Sequence, residues 1–76
     1  MKNLTTKEIF ALAIQNHQKN NLKVAENLYK ETLKVNPNHA GVYNNLGLLF
    51  KESDELQKAI SCYEKAIRID SEYAGA

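Results

Sequence analysis

The side chains of this 76-residue chain that could hold a metal or act as a nucleophile are His17, His39, Ser61 and the lone Cys62. A structural zinc site needs four nitrogen or sulfur donors, usually in close pairs along the sequence. Here the two histidines stand far apart, with no ligand-like spacing to each other or to Cys62. Ser61 has no base paired with it, and a nucleophile, a base and an orienting group must converge in a pocket that so short a chain lacks the layers to build. The expectation is therefore a protein that is not an enzyme and uses neither cofactor nor metal. A single cysteine also excludes an internal disulfide framework and fits a reducing, cytoplasmic setting.

Charge narrows the partners in the same way. Ten basic and nine acidic residues are spread along the chain, for a net charge of +1. No block of one sign is available to neutralise a nucleic-acid backbone or to attach to a lipid surface. The longest uncharged apolar run, IFALAI at 9–14, is far shorter than the roughly 20 residues needed to span a bilayer. The opening MKNLTTKEIF has no apolar core of a secretory signal. What remains is recognition by surface shape, so the elements that build the surface come next.

Apolar residues recur at three- and four-residue spacing with no sustained alternation, which predicts an all-α chain. Thr5 and Glu8 form a capping-box pair ahead of a first helix that fades near residues 19–21. A second helix spans about Leu22 to Val35 and stops at Asn36-Pro37-Asn38, because proline has no N–H to continue the ladder. A third helix carries VYNNLGLLF at 42–50. Asp54 and Gln57 offer a second capping pair for a fourth helix from about Glu55 to Ile69. Turns this short imply antiparallel neighbours.

Sliding the chain against itself by 34 residues superimposes the first helix on the third and the second on the fourth. Leu12 then meets Leu46, Leu22 meets Leu56, Ala25 meets Ala59 and Tyr29 meets Tyr63, and both turns fall in register. In that period the second copy reads Tyr43-x2-Leu46-Gly47-x2-Phe50, Ala59-x3-Tyr63, Ala66 and Asp70, with Ser71 at the place of a usual proline. The first reads Ile9-x2-Leu12-Ala13-x2-Asn16, Ala25-x3-Tyr29, Thr32 and Pro37. This pattern resembles two tetratricopeptide repeats, at 6–39 and 40–73, after a lead-in at 1–5 and before a start or tail of a third repeat at 74–76. Pentatricopeptide repeats, which bind RNA, are similar in length, but Ala13, Gly47 and the balanced charge stand against them.

The resemblance implies two antiparallel helix-turn-helix repeats stacked as a short right-handed α-solenoid. Gly47 is then expected to face Ala59, where two small residues let backbones approach; Gly47→Leu is expected to cost roughly 1 to 3 kcal/mol. The expected core is Tyr43, Leu46, Phe50, Ala59, Ile60, Tyr63 and Ile67 in the second copy, and Ile9, Leu12, Ala13, Ala25, Leu28, Tyr29 and Leu33 in the first. Asn16 and Thr32 depart from the family pattern and are expected to loosen the first copy.

Beyond that core stripe the first helix carries a second apolar set, Phe10 and Ile14, and Leu48 matches Ile14 one repeat later. In the family, first helices line a concave groove that takes extended peptides or partner helices. Lys7, Phe10, Ile14, His17 and Gln18 fall at the groove positions of repeat one, and Asn44, Asn45, Leu48, Lys51 and Glu52 at those of repeat two. Asn45 occupies the place where some members carry a ladder of asparagines, and a carboxamide can both donate to and accept from a peptide backbone. Ala11 holds that place in repeat one, so a single rung is present. The basic clamp by which chaperone-tail binders hold a carboxylate is absent, since Phe10 and Ile14 replace its lysine and asparagine.

The segment DSEYAGA aligns with NPNHAGV, as though a third repeat were starting, and Ile60, Tyr63 and Ile67 are expected to lack part of their cover. Exposing on the order of 300 to 500 Å² of apolar surface forgoes roughly 8 to 12 kcal/mol as an upper bound. The sequence therefore predicts a scaffold for a peptide or protein partner. Its alternatives are a homo-oligomer built through uncovered repeat faces, or an N-terminal targeting segment of a larger enzyme such as a glycosyltransferase.

Overall fold

A computed structural model describes residues 4–74, with side chains placed through Ser71. The described chain contains four helices and no strand: α1 (Thr6–Gln18), α2 (Leu22–Val35), α3 (Ala40–Glu52) and α4 (Leu56–Ala74). It divides into two compact units, Met1–Pro37 and Asn38–Ala76, each a helical hairpin in which α1 packs on α2 or α3 on α4. The all-α expectation and the helical hairpin in each 34-residue period both hold.

The starts of α1 and α3 have a local cause. Thr5 accepts from the Glu8 amide at 3.1 Å while Glu8 accepts from the Thr5 amide at 2.9 Å, the capping box read from the sequence. His39 caps α3, its Nδ1 accepting from the Val42 amide at 3.2 Å. The turn histidine thus satisfies a helix end.

The two hairpin turns match bond for bond at a spacing of 34. In the first, Asn20 is left-handed (φ 66°), its amide donates to the His17 carbonyl, and the Asn21 amide donates to Asn16 at 2.8 Å. In the second, Asp54 is left-handed (φ 65°), its amide donates to Lys51, and Glu55 donates to Phe50 at 2.8 Å. These are Schellman closures, which settle orphan carbonyls at a helix end. Asp54 is therefore no N-cap, contrary to the capping pair expected with Gln57. A short polar side chain was needed there for a left-handed backbone.

The end of α4 also differs from expectation. Instead of stopping at Ile69 it continues to Ala74, because Ser71 stands where repeat one has Pro37 and keeps the amide that proline lacks. Ala74, assigned from sequence to the start of a third repeat or a tail, belongs to α4; 75–76 lie outside the described residues.

Burial corrects the expected core. In the first hairpin Ala13, Ala25, Tyr29 and Thr32 are buried, flanked by half-buried Ile9, Leu12, Leu28 and Leu33. In the second the buried set is Val42, Leu46, Gly47, Leu49, Phe50, Ala59, Ala66 and Ile69. Ile60 and Ile67, expected inside, are 49% and 65% exposed. Neither departure in repeat one loosens it visibly. Thr32 is fully buried and donates its hydroxyl to the Leu28 carbonyl at 3.0 Å, and Asn16 donates to the Leu12 carbonyl at 2.9 Å.

The atoms nearest to a side chain at Gly47 belong to Tyr63, not to Ala59. A Cβ added at Gly47 would lie 2.7 Å from Cε1, 2.8 Å from Cδ1 and 2.9 Å from Cζ of that ring. The glycine makes room for an aromatic ring lying across the helix backbone.

Candidate functional site

The capping box fixes where α1 begins, and its turns bring Phe10, Ile14 and His17 onto one stripe at spacings of four and three. The neighbouring helix pulls that stripe inward. The Phe10 ring lies 6.1 Å from the Tyr29 ring, centroid to centroid, and His17 meets the same ring edge-on at 5.9 Å. His17 Nδ1 also hydrogen-bonds the Tyr29 hydroxyl at 2.9 Å. Two residues expected to line a groove are thus engaged with a fully buried tyrosine of their own hairpin, and Ile14 between them is half-buried. Lys7 is exposed at the start of the helix.

The corresponding face of α3 is different, because repeat one's Phe10 and His17 become Asn44 and Lys51. Asn44, Leu48 and Lys51 are exposed, Leu48 at 42%, and Asn45 is half-buried beside them. Leu48 lies four residues from Asn44 and three from Asn45 and Lys51, so the four side chains form one continuous patch. The Asn45 carboxamide makes no side-chain hydrogen bond to another described residue.

Among the described residues no group of three or more His, Cys, Asp or Glu side chains could hold a metal ion. Cys62 is half-buried; burial pushes its thiol up, and the Lys65 ammonium draws it back in part. A shallow depression of about 320 Å³ lies beside it, lined by Phe50, Gln57, Lys58, Ser61 and Cys62. Lys58 sits 5.5 Å from the centre of the Phe50 ring, and Lys65 sits 5.4 Å from that of Tyr43, so both ammonium groups cover aromatic faces. No described helix is long and apolar enough to cross a membrane.

Residues 40–73 match the family model of the tetratricopeptide repeat. Among curated proteins, an uncharacterized protein ycf37 of Pyropia yezoensis is 37% identical over 46 residues, covering 60% of this chain and 26% of that protein. A probable UDP-N-acetylglucosamine–peptide N-acetylglucosaminyltransferase SPINDLY of Solanum lycopersicum is 33% identical over 54 residues, covering 71% of this chain and 6% of that protein. The chain therefore spans only a small part of the length of either relative. No solved structure matches it significantly.

Proposed function

Because the chain belongs to the tetratricopeptide repeat family through residues 40–73, we propose that it is a non-catalytic module that binds a peptide or partner protein on its first-helix faces. One observation carries the reading. On α3 a half-buried asparagine with unspent hydrogen-bonding groups, Asn45, adjoins an exposed leucine, Leu48, with Asn44 and Lys51 at the rim. A carboxamide can satisfy the C=O and N–H of one extended residue while Leu48 covers an apolar side chain, a combination that favours backbone over sequence. On the first hairpin, the α1 residues Lys7, Phe10, Ile14 and His17 have a lesser role, since Phe10 and His17 already pack on Tyr29.

In this reading the partner is protein rather than nucleic acid or membrane, in keeping with the +1 net charge, and the free Cys62 accords with a cytoplasmic setting. The test is selection of binders from a displayed random peptide library, followed by titration of the selected peptide. Asn45→Ala and Leu48→Ala are each expected to weaken it about tenfold or more, equivalent to 1.4 kcal/mol. Unchanged affinity in both variants would remove the proposal.

Two other readings each have one supporting observation. Self-assembly is favoured by the exposed apolar stripe on α4. A place within a larger glycosyltransferase is favoured by the similarity to the tomato protein named above.

A further inference from the structure

Resting on the peptide-binding reading, we infer that the Tyr63 hydroxyl and the Lys51 ammonium together hold a side-chain carboxylate of the bound peptide, an aspartate or glutamate two residues from the one that meets Leu48.

Tyr63 is the residue through which α4 reaches the α3 patch. Its Cδ1, Cε1 and Cζ are the atoms nearest to a Cβ at Gly47, Cζ at 2.9 Å, and the hydroxyl is one bond beyond Cζ. Lys51 is four residues after Gly47 and Asn44 three before it, so both are its neighbours on the helix surface. The hairpin sets the direction of the ring. Lys58 over Phe50 and Lys65 over Tyr43 show α4 running opposite to α3, and helix side chains lean toward their own N-terminus. Tyr63 therefore leans toward the C-terminal turns of α3, where Lys51 stands.

The first hairpin has the same arrangement with its bond already made. Tyr29 and His17 are the counterparts of Tyr63 and Lys51, 34 residues earlier, and the Tyr29 hydroxyl meets His17 Nδ1 at 2.9 Å. Tyr63 is half-buried, and its hydroxyl makes no hydrogen bond to another described residue. No described side chain has a buried polar atom without a partner, so that oxygen meets solvent. Lys51 is exposed and forms no ion pair with another described residue. The exchange of an imidazole for an ammonium leaves two donors side by side. A phenol O–H and an ammonium can both donate to one carboxylate, and such charge-assisted bonds are the stronger kind.

Neighbouring acids turn away from this place. Glu52 lies about 140° around α3 from Gly47, and Glu64 about 100° around α4 from Tyr63. The register follows from helix geometry. Leu48 and Lys51 are about 60° apart around α3 and about 4.5 Å apart along it, which separates their tips by about 7 Å on a helix about 10 to 12 Å across. Alternate side chains of an extended chain are about 6.7 Å apart, so an apolar residue on Leu48 brings the second residue along to Lys51 and Tyr63.

The test starts from peptides selected by the full chain from a displayed random library. They are expected to be enriched in Asp or Glu two positions from an apolar residue. One selected peptide is then synthesised with an acetylated N-terminus and an amidated C-terminus, and its Glu→Gln form is expected to bind about tenfold more weakly. Against Tyr63→Phe, which keeps the ring on Gly47, or Lys51→Met, the same exchange is expected to cost about threefold or less, with circular dichroism unchanged. An equal effect of Glu→Gln on the wild type and both variants overturns the inference, and Asn45→Ala still weakening the peptide would leave the peptide-binding reading in place. Binding lost on amidation alone overturns the assignment to a side chain. Failure to select any peptide removes both the reading and the inference.

Discussion

Replacing Gly47 with alanine sets two known effects of opposite sign against each other. In a helix interior alanine is favoured over glycine by about 1 kcal/mol through backbone entropy alone. The new methyl would lie 2.7 to 2.9 Å from three atoms of the Tyr63 ring, about 1 Å inside ordinary carbon–carbon contact at 3.5 to 4.0 Å. The ring must swing outward and surrender part of its packing on α3. Overpacking of this kind costs about 1 to 3 kcal/mol, so the net expectation is a loss of about 0 to 2 kcal/mol. The sign is better tested by changing the background than by the single value. With Tyr63→Ala the obstacle is gone, and Gly47→Ala should then stabilise by about 1 kcal/mol. Urea denaturation of the four proteins in the double-mutant cycle measures the coupling, expected at about 1 to 3 kcal/mol. An equal effect of Gly47→Ala in both backgrounds would refute the account of this glycine.

Four smaller predictions follow from individual contacts. His39→Ala removes the side-chain acceptor of the Val42 amide and should cost about 1 kcal/mol, seen as a Tm lower by about 4 to 8 °C. Asp54→Gly should stabilise by about 0.5 to 1 kcal/mol, because glycine adopts the φ of 65° without a Cβ penalty; Asp54→Ile should destabilise by about 1 to 2 kcal/mol in the same thermal melts. His17→Leu removes the hydrogen bond to the buried Tyr29 hydroxyl and should cost about 1 to 3 kcal/mol in urea denaturation. Since burial raises its thiol, Cys62 is less ionised than a free cysteine at pH 8; iodoacetamide should modify it more slowly in the folded chain than in urea, and the gap should narrow as pH climbs past the raised value.

The sequence was most legible where local chemistry decides structure. The Thr5–Glu8 capping box, the limits of α2 before Pro37 and the 34-residue period all depend on near neighbours, and all reappear in the coordinates. It was less legible where two patterns share the same residues. Asp54 is a helix starter in most contexts, and nothing in its neighbours separates that role from the left-handed place after a helix end. Its counterpart Asn20, displaced by 34 residues, was the available signal. For α4 the large side chains Ile60 and Ile67 drew the expected core toward themselves, while the inner face is marked by alanines at 59 and 66 followed by Ile69. Periodicity gives a face only to within a fraction of a turn, so Gly47 was matched with Ala59 instead of Tyr63, one turn farther along α4.

The family pattern puts five groove positions on each first helix, yet the two hairpins use them differently. Whether Phe10 and His17 point to a ligand or to their own core depends on Tyr29, a residue of the opposite helix, and single-helix spacing carries no information about that choice. The α3 set stays open because Asn44 and Lys51 replace those two rings. The proposed peptide recognition is accordingly centred on α3, a narrower placement than the sequence pattern alone supports.

Nuclear magnetic resonance titration of the chain with a selected peptide tests that placement most directly. The amide and side-chain signals of Asn44, Asn45, Leu48 and Lys51 should shift together and saturate with one affinity, the Asn45 carboxamide protons among the largest changes. Shifts confined to α2 or to the exposed apolar stripe of α4, with the α3 patch unmoved at saturation, would contradict it.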